Sequence, residues 1–135
     1  MRIFIDTNIV LDVLLKRSPF NEAAERILII CADAHIGFLS VNSLTDIFYV
    51  ARKSLDALST KAVVRRLIEL LEIIPINKED CINALSLPID DFEDGLIFIC
   101  AEKAGADFIV TRDEELLKIE SDISVIAPDK LLGII

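Results

Sequence analysis

The chain has 135 residues, of which 53% are hydrophobic and only 4 each are Gly and Pro. This length and composition indicate a single folded domain over residues 1–135 rather than a disordered segment. The net charge of −9 argues against a protein that holds nucleic acid through a bulk positive surface, but it allows an enzyme that meets phosphate through bound cations. A mean hydropathy of +0.54 favours a large core together with an apolar face shared with a partner.

Strand-like and helix-like segments alternate along the chain. The predicted strands are Arg2–Asp6, Ile36–Ser40, Ile73–Ile76, Asp107–Val110 and, as an edge strand, Ser124–Ile126. The predicted helices follow Asp6, open at Ser18-Pro19, run over Asn42–Lys53, begin at a Ser59 or Thr60 cap, and cover Lys78–Ser86, Asp91–Ala104 and Glu114–Lys118. Strands separated by helices pair in parallel through right-handed crossovers. The sequence therefore predicts a three-layer α/β/α sandwich with a central parallel sheet of four or five strands.

No apolar run reaches the roughly 20 residues that a membrane-spanning helix needs. The first apolar run ends at Asp6, too early for the apolar region of a signal peptide. The three cysteines lie in apolar surroundings without the spacing of metal ligands, so we expect buried, reduced thiols. These features predict a cytoplasmic protein that does not enter a membrane.

Four acidic residues, far apart in sequence, stand at positions that suit a shared metal site: Asp6, Asp46, Asp94 and Asp113. Asp6 and Asp113 follow predicted strands, Asp94 lies in the first turn of an apolar helix, and Asp46 lies within another. The carboxyl ends of the strands of an open α/β sheet share one crevice, where ligands bind. Carboxylates gathered there repel one another unless a cation neutralises them, and Mg²⁺ prefers oxygen ligands. The pattern indicates phosphate chemistry that depends on a metal ion.

Each of these acids also has an ordinary explanation. The three at helix starts would serve as caps, and Asp46 would face solvent. Their combination is less ordinary and favours a site. Asp12 is expected to be solvated, and His35, the only histidine, is expected to be a surface residue.

Polar and basic neighbours of the acids are weaker candidates. Asn8, Ser43 and Thr111 would either support the carboxylates or cap helices. Two basic pairs, Lys16-Arg17 and Arg52-Lys53, follow helices that carry or succeed the acids, and they would be either solvated surface or contacts to a phosphate-bearing substrate.

Four segments of the chain together resemble the PIN domain: Ile3–Asn8, Asp46–Tyr49, Asp91–Asp94 and Ile109–Asp113. Their order and spacing match from about residue 2 to residue 117, and the resemblance is closest to small prokaryotic PIN proteins, which include VapC-type toxins of toxin–antitoxin pairs. The resemblance implies a ribonuclease dependent on Mg²⁺ or Mn²⁺. It assigns metal binding and catalysis to Asp6, Asp46, Asp94 and Asp113, and support of that quartet to Thr7, Asn8, Ser43 and Thr111.

Two residues depart from the family's pattern. Asp46 stands where the family often has Glu, so its side chain is one methylene shorter. Gly95 stands where the family usually has Ala, which is expected to weaken the start of its helix by about 0.5–1 kcal/mol.

The expected partners are RNA, a second copy of the chain in a homodimer, and an antitoxin whose basic tail reaches the acidic crevice. Two alternative functions remain open. One is a Mg²⁺-dependent phosphotransfer or phosphatase domain, although Asn8 stands where phosphatases of the haloacid-dehalogenase type have a second Asp. The other is a catalytically inert PIN-like interaction module.

Overall fold

Five parallel strands form the centre of the protein in the computed structural model, which describes residues 1–135. The strands are β1 (Arg2–Ile5), β2 (Ile36–Ser40), β3 (Glu72–Ile74), β4 (Phe108–Val110) and β5 (Ser124–Ile126). They lie side by side in the order β3-β2-β1-β4-β5, and every neighbouring pair is parallel. The predicted parallel sheet is confirmed, with five strands.

Eight helices connect and cover these strands. They are α1 (Thr7–Leu14), α2 (Asn21–Asp33), α3 (Val41–Ala51), α4 (Ala57–Leu70), α5 (Lys78–Ser86), α6 (Phe92–Lys103), α7 (Glu114–Leu117) and α8 (Pro128–Leu132). None of them has the length and apolar character that crossing a membrane would require.

Alternating residues of the strands divide the core into two clusters. Ile3 and Ile5 of β1 pack into the larger cluster, to which α1, α2, α3, α4 and α8 contribute. Phe4 and Phe38 pack into the second cluster with residues of α6. Because successive side chains of a strand point to opposite faces of a sheet, the two clusters lie on opposite sides. The predicted three-layer α/β/α arrangement is therefore confirmed.

Three helix starts differ from the sequence prediction. Helix α2 begins at Asn21, not at Ser18-Pro19, and has no side-chain cap. The cap of α4 is Asp56, whose Oδ1 accepts a 2.6 Å hydrogen bond from the backbone N–H of Ser59. The predicted Ser59 or Thr60 cap is wrong because α4 begins earlier, at Ala57. The third difference is α8, a short helix that the sequence pattern does not predict.

Glycine is required at positions 95 and 105 for different structural reasons. Gly105 follows α6 with φ +60°, a left-handed conformation that glycine adopts readily at the C-terminal end of a helix. At Gly95 a Cβ atom would lie only 2.9 Å from the carbonyl oxygen of Ala84 in α5. Gly95 therefore permits close packing of α6 on α5, which offsets the helix-weakening effect expected from sequence.

The chain changes direction across the sheet between β1 and β4. It runs outward from β1 to β2 and β3, then returns to β4 on the other side of β1 and continues to β5. Ligands of open α/β proteins bind at such a reversal, outside the carboxyl ends of the strands. The loops that follow β1 and β4 carry Asp6 and Asp113 to this place.

Candidate active site

Asp6 stands at the junction of β1 and α1, where it both caps the helix and faces the crevice. Its backbone N–H continues the sheet by donating to the carbonyl oxygen of Val110 at 3.0 Å. One carboxylate oxygen accepts a hydrogen bond from the N–H of Thr7 at 2.8 Å, and the other accepts one from the Thr111 hydroxyl at 2.7 Å. The capping and site interpretations of Asp6 are therefore compatible.

Thr111 connects the loops that follow β1 and β4. Its side chain is fully buried, and its Oγ1 accepts hydrogen bonds from the N–H of Asp113 at 3.0 Å and from Asn8 Nδ2 at 3.5 Å. Asp113 in turn caps α7 by accepting from the N–H of Glu115 at 2.9 Å. The Oδ1 atom of Asn8 is buried and has no hydrogen-bond partner. Thr111 thus fixes Asp6 and Asp113 relative to each other.

Asp94 enters the same crevice from the first turn of α6. Its backbone N–H donates to the carboxylate of Asp91, the N-cap of α6, at 2.9 Å. Its own carboxylate takes part in no hydrogen bond or ion pair. Burial, followed by the charges of Asp91, Asp113 and Asp6, raises the pKa of Asp94 to about 6.

The crevice encloses about 750 Å³ and is predominantly acidic. Its charged lining residues are Asp6, Asp90, Asp91, Glu93, Asp94, Asp113 and Glu115. Burial raises the pKa of Asp6 despite its two stabilising hydrogen bonds, and the charge of Asp113 adds to this effect. The structure therefore brings three of the four predicted acids, Asp6, Asp94 and Asp113, into one crowded, negative site.

Asp46 lies at the edge of this crevice rather than in its lining. It lies close to Glu93, whose pKa is raised first by burial and then by the proximity and charge of Asp46. Sequence reasoning did not single out Glu93. The sequence signal for Glu93 is the dense acidic run over residues 90–94, which also suits the capping of a helix.

The hydroxyls near the site link the starts of α1 and α3. The Thr7 hydroxyl donates to Ser43 Oγ at 2.9 Å, and Ser43 Oγ lies 3.0 Å from Ser40 Oγ. Ser40, which sequence reasoning did not select, also bonds to the side chain of Asn42. This chain of hydroxyls joins the helix that Asp6 caps to the helix that carries Asp46.

Asp12 is fully buried, so the prediction that it is solvated is wrong. Arg112 Nε and Nη2 donate to its two carboxylate oxygens at 2.6 and 2.8 Å, and Arg17 lies 3.8 Å away. The Arg112 guanidinium also stacks over the ring of Phe20 at 4.2 Å. The bidentate pair anchors the β4–α7 loop, which carries Asp113, to α1.

The basic pairs predicted from sequence do not line the crevice. Lys16 and Arg17 follow α1 at its far end, and Arg17 contacts Asp12. Arg52 donates to the carbonyl oxygen of Leu55 at 2.8 Å, and Lys53 lies over the ring of Tyr49 at 5.1 Å.

The chemistry of the site fits a hard divalent cation. No three carboxylate, imidazole or thiol groups lie close enough to hold one ion as the side chains stand. However, Asp6, Asp94 and Asp113 offer only oxygen donors, and Asn8 adds an unpaired, buried amide oxygen. Mg²⁺ and similar cations prefer such donors and would relieve the repulsion among the carboxylates.

An acidic crevice at the chain reversal of a parallel sheet defines an α/β protein built to bind cations or cationic groups. A model of the PIN domain family matches residues 2–115, and the chain belongs to this family. It is 25% identical over 135 residues to Ribonuclease VapC1 of Aquifex aeolicus, covering 96% of this chain and 92% of that protein.

Solved structures share the fold. A toxin–antitoxin complex from Klebsiella pneumoniae contains a chain similar to this one, with a TM-score of 0.71 and 19% identity over 93% of this chain and 97% of that chain. The sarcin–ricin loop-cleaving toxin VapC20 of Mycobacterium tuberculosis gives a TM-score of 0.69 and 16% identity over 84% of this chain and 92% of that chain.

Proposed function

We propose that this protein is an endoribonuclease that depends on Mg²⁺ or Mn²⁺ and that its acidic crevice is the active site. The observation that carries the proposal is the convergence of Asp6, Asp94 and Asp113, where burial and mutual repulsion raise the pKa of Asp6 and Asp94. Carboxylates that the fold holds close together repel one another and destabilise the empty protein. The arrangement is understandable if the site binds a cation, because the cation neutralises the carboxylates. The similarity to Ribonuclease VapC1 supports RNA as the substrate.

In this proposal each residue of the site has a separate task. Asp6, Asp94 and Asp113 hold the cation, and Asp46 with Glu93 extends the negative charge to the edge where a second cation or an ordered water would bind. A bound cation supplies a nucleophile by lowering the pKa of water and neutralises charge on the phosphate. Thr111 keeps Asp6 oriented, and the Thr7–Ser43 hydrogen bond keeps α1 and α3 in register.

The direct test is cleavage of RNA with and without metal. Wild type should cut RNA with Mg²⁺ or Mn²⁺ and stop on addition of a chelator. Asp94→Asn should reduce cleavage by orders of magnitude, because it removes a ligand without breaking a hydrogen bond. Asp33→Asn is the matched control, since Asp33 is an exposed acid at the end of α2, just before β2, and so lies near the amino ends of the strands, whereas the crevice lies at their carboxyl ends. Undiminished cleavage by an Asp6→Asn, Asp94→Asn double variant contradicts the proposal.

The proposal includes two protein partners. The first is a second copy of the chain, because Ile82 and Leu85 form an exposed apolar strip one turn apart on α5 and two-fold pairs are the commonest oligomers. A monomer mass in light scattering at micromolar concentrations argues against it. The second is an antitoxin with a basic tail, whose Arg or Lys would replace the charge of the metal in the crevice. The toxin–antitoxin complex among the similar structures supports this partner.

The two alternatives have no such support. A phosphotransfer domain would form an aspartyl phosphate from a small phosphodonor, and an inert module would bind no Mn²⁺ at millimolar concentration. Both experiments use the wild-type protein and are independent of the RNA chosen.

A further inference from the structure

The end of α3 and the neighbouring α4 form a surface whose charge is opposite to that of the rest of the protein. Residues 41–70 contain 5 of the 14 Lys and Arg residues, but only 3 of the 23 Asp and Glu residues. The basic residues are Arg52, Lys53, Lys61, Arg65 and Arg66. We call this region, which also carries Tyr49, the α3–α4 surface.

Tyr49 is an unusual residue to find on such a surface. It is the only tyrosine of the chain, and 70% of it is exposed. The ammonium of Lys53 lies 5.1 Å from the centre of its ring. An exposed aromatic ring beside cations is the arrangement with which proteins hold single-stranded nucleic acid, because bases stack on the ring while cations meet the phosphates.

The position of Tyr49 connects this surface to the acidic crevice. Asp46, Tyr49 and Lys53 follow one another at spacings of three and four residues, so they lie on one face of α3 and its continuation. At about 1.5 Å per residue, Lys53 lies roughly 10 Å along this face from Asp46. Asp46 lies close to Glu93, which lines the crevice. One continuous path therefore leads from the crevice over Tyr49 to Lys53.

A shallow groove lies between α3 and α4. Phe48 of α3 and Lys61, Val64, Arg65 and Ile68 of α4 enclose about 230 Å³ there. Lys53, Lys61 and Arg65 have no carboxylate within ion-pair distance, whereas Arg66 pairs with Glu69 at 3.1 Å. In a chain with an excess of acids, three cations without partners on one surface are available for phosphate groups.

We propose that the α3–α4 surface binds a single-stranded segment of the RNA substrate and guides it into the acidic crevice. A base stacks on Tyr49, and phosphates contact Lys53, Lys61 and Arg65. This inference rests on the proposed ribonuclease function and specifies how the substrate is held. The charge favours RNA over a protein with a basic tail, because such a tail would be repelled by this surface and attracted by the crevice.

The first arm of the test measures the binding of a short, fluorophore-labelled single-stranded RNA by anisotropy. The protein carries Asp94→Asn, so that the RNA stays intact. Tyr49→Ala should weaken binding by about five- to a hundredfold, the range that loss of one stacked base produces. Tyr49→Phe should bind like the parent because it keeps the ring. Tyr49→Leu keeps an apolar side chain without a ring and should behave like Tyr49→Ala.

The second arm measures how binding depends on salt. Replacing Lys53 and Arg65 together by Ala should lower the slope of log Kd against log salt by about 0.7 for each phosphate that the protein no longer neutralises. The matched control replaces Arg26 and Lys130, two exposed cations outside the α3–α4 surface that have no ion-pair partner, and it should leave the slope unchanged.

The outcomes separate this inference from the proposed function. If wild type cleaves RNA but the Tyr49 and Lys53/Arg65 variants bind as tightly as their parent, the docking surface is wrong and the nuclease stands. If RNA binding depends on Tyr49 but wild type cleaves no RNA with metal, the surface stands and the nuclease is wrong. Absence of RNA binding at low salt overturns the inference. So does a Tyr49→Leu variant that binds RNA normally, or a Tyr49→Ala variant that changes only the oligomer mass in light scattering.

Discussion

Asp94→Asn should make the metal-free protein more stable, although Asp94 is proposed to be essential for activity. The carboxylate makes no hydrogen bond, so the isosteric amide removes a repelled charge without removing a favourable interaction. A pKa shift from 3.8 to about 6 corresponds to at most about 3 kcal/mol at neutral pH. Because Asp94 is only partly buried, solvent screening reduces this figure, and we expect a gain of about 1 kcal/mol.

The assay is thermal unfolding in chelator as a function of pH. At neutral pH the variant should melt roughly 3–5 °C above wild type, the shift that about 1 kcal/mol gives in a domain of this size. The folded pKa is raised, so the penalty is fully present above about 6 and disappears as the pH falls to the unfolded value of 3.8. Wild type should therefore approach the variant as the pH is lowered through this range.

Two results would refute this reasoning. One is a variant that is less stable than wild type at neutral pH in chelator, and the other is a difference in melting temperature that does not change with pH. Asp6→Asn is the informative comparison, because it also removes a charge but loses the acceptor for the Thr111 hydroxyl. Its gain in stability should be smaller than that of Asp94→Asn.

Two further predictions concern packing and buried charge. Asp12→Asn should lower the free energy of unfolding by about 3 kcal/mol, the low end for a broken buried pair, because Arg112 loses its bidentate carboxylate partner and is itself partly exposed; urea unfolding measures this. Glu69→Gln, which breaks an exposed ion pair with Arg66, should lower the free energy of unfolding by less than about 0.5 kcal/mol. If both substitutions cost the same, burial of the ion pair does not determine its contribution to stability. Gly95→Ala should lower the urea midpoint, since forcing a Cβ against the backbone of Ala84 costs about 1–3 kcal/mol, more than the helix gains. A higher midpoint would show that α5 moves aside easily.

The order of strands and helices could be predicted from the sequence because periodicity is a local property. The strand at Ile36–Ser40 and the helix at Lys78–Ser86 have the predicted bounds. Helix starts were less predictable, since a cap is decided by competition among nearby polar residues, and Asp56 prevailed over Ser59 and Thr60. Helix α8, with five residues, is too short for a helical period to show in its sequence.

The candidate site was predictable as far as it depends on strand ends. Asp6 and Asp113 meet because parallel strands end at the same edge, which topology alone implies. The environment of Asp12 was not predictable, because its partner Arg112 lies 100 residues away in the sequence. The role of Glu93 depends on how closely α6 approaches Asp46 in the folded protein, and the local sequence around either residue does not predict that distance.

Binding of a divalent cation in the acidic crevice is tested most directly by NMR, through the broadening that Mn²⁺ causes in the backbone amide signals of isotope-labelled protein. We expect the signals of residues around Asp6, Asp94 and Asp113 to broaden first, while those around Asp33, near the amino ends of the strands, stay sharp. The Asp6→Asn, Asp94→Asn double variant should need much more Mn²⁺ for the same effect. Broadening centred elsewhere, or no selective broadening at millimolar Mn²⁺, would show that the crevice is not a divalent-cation site.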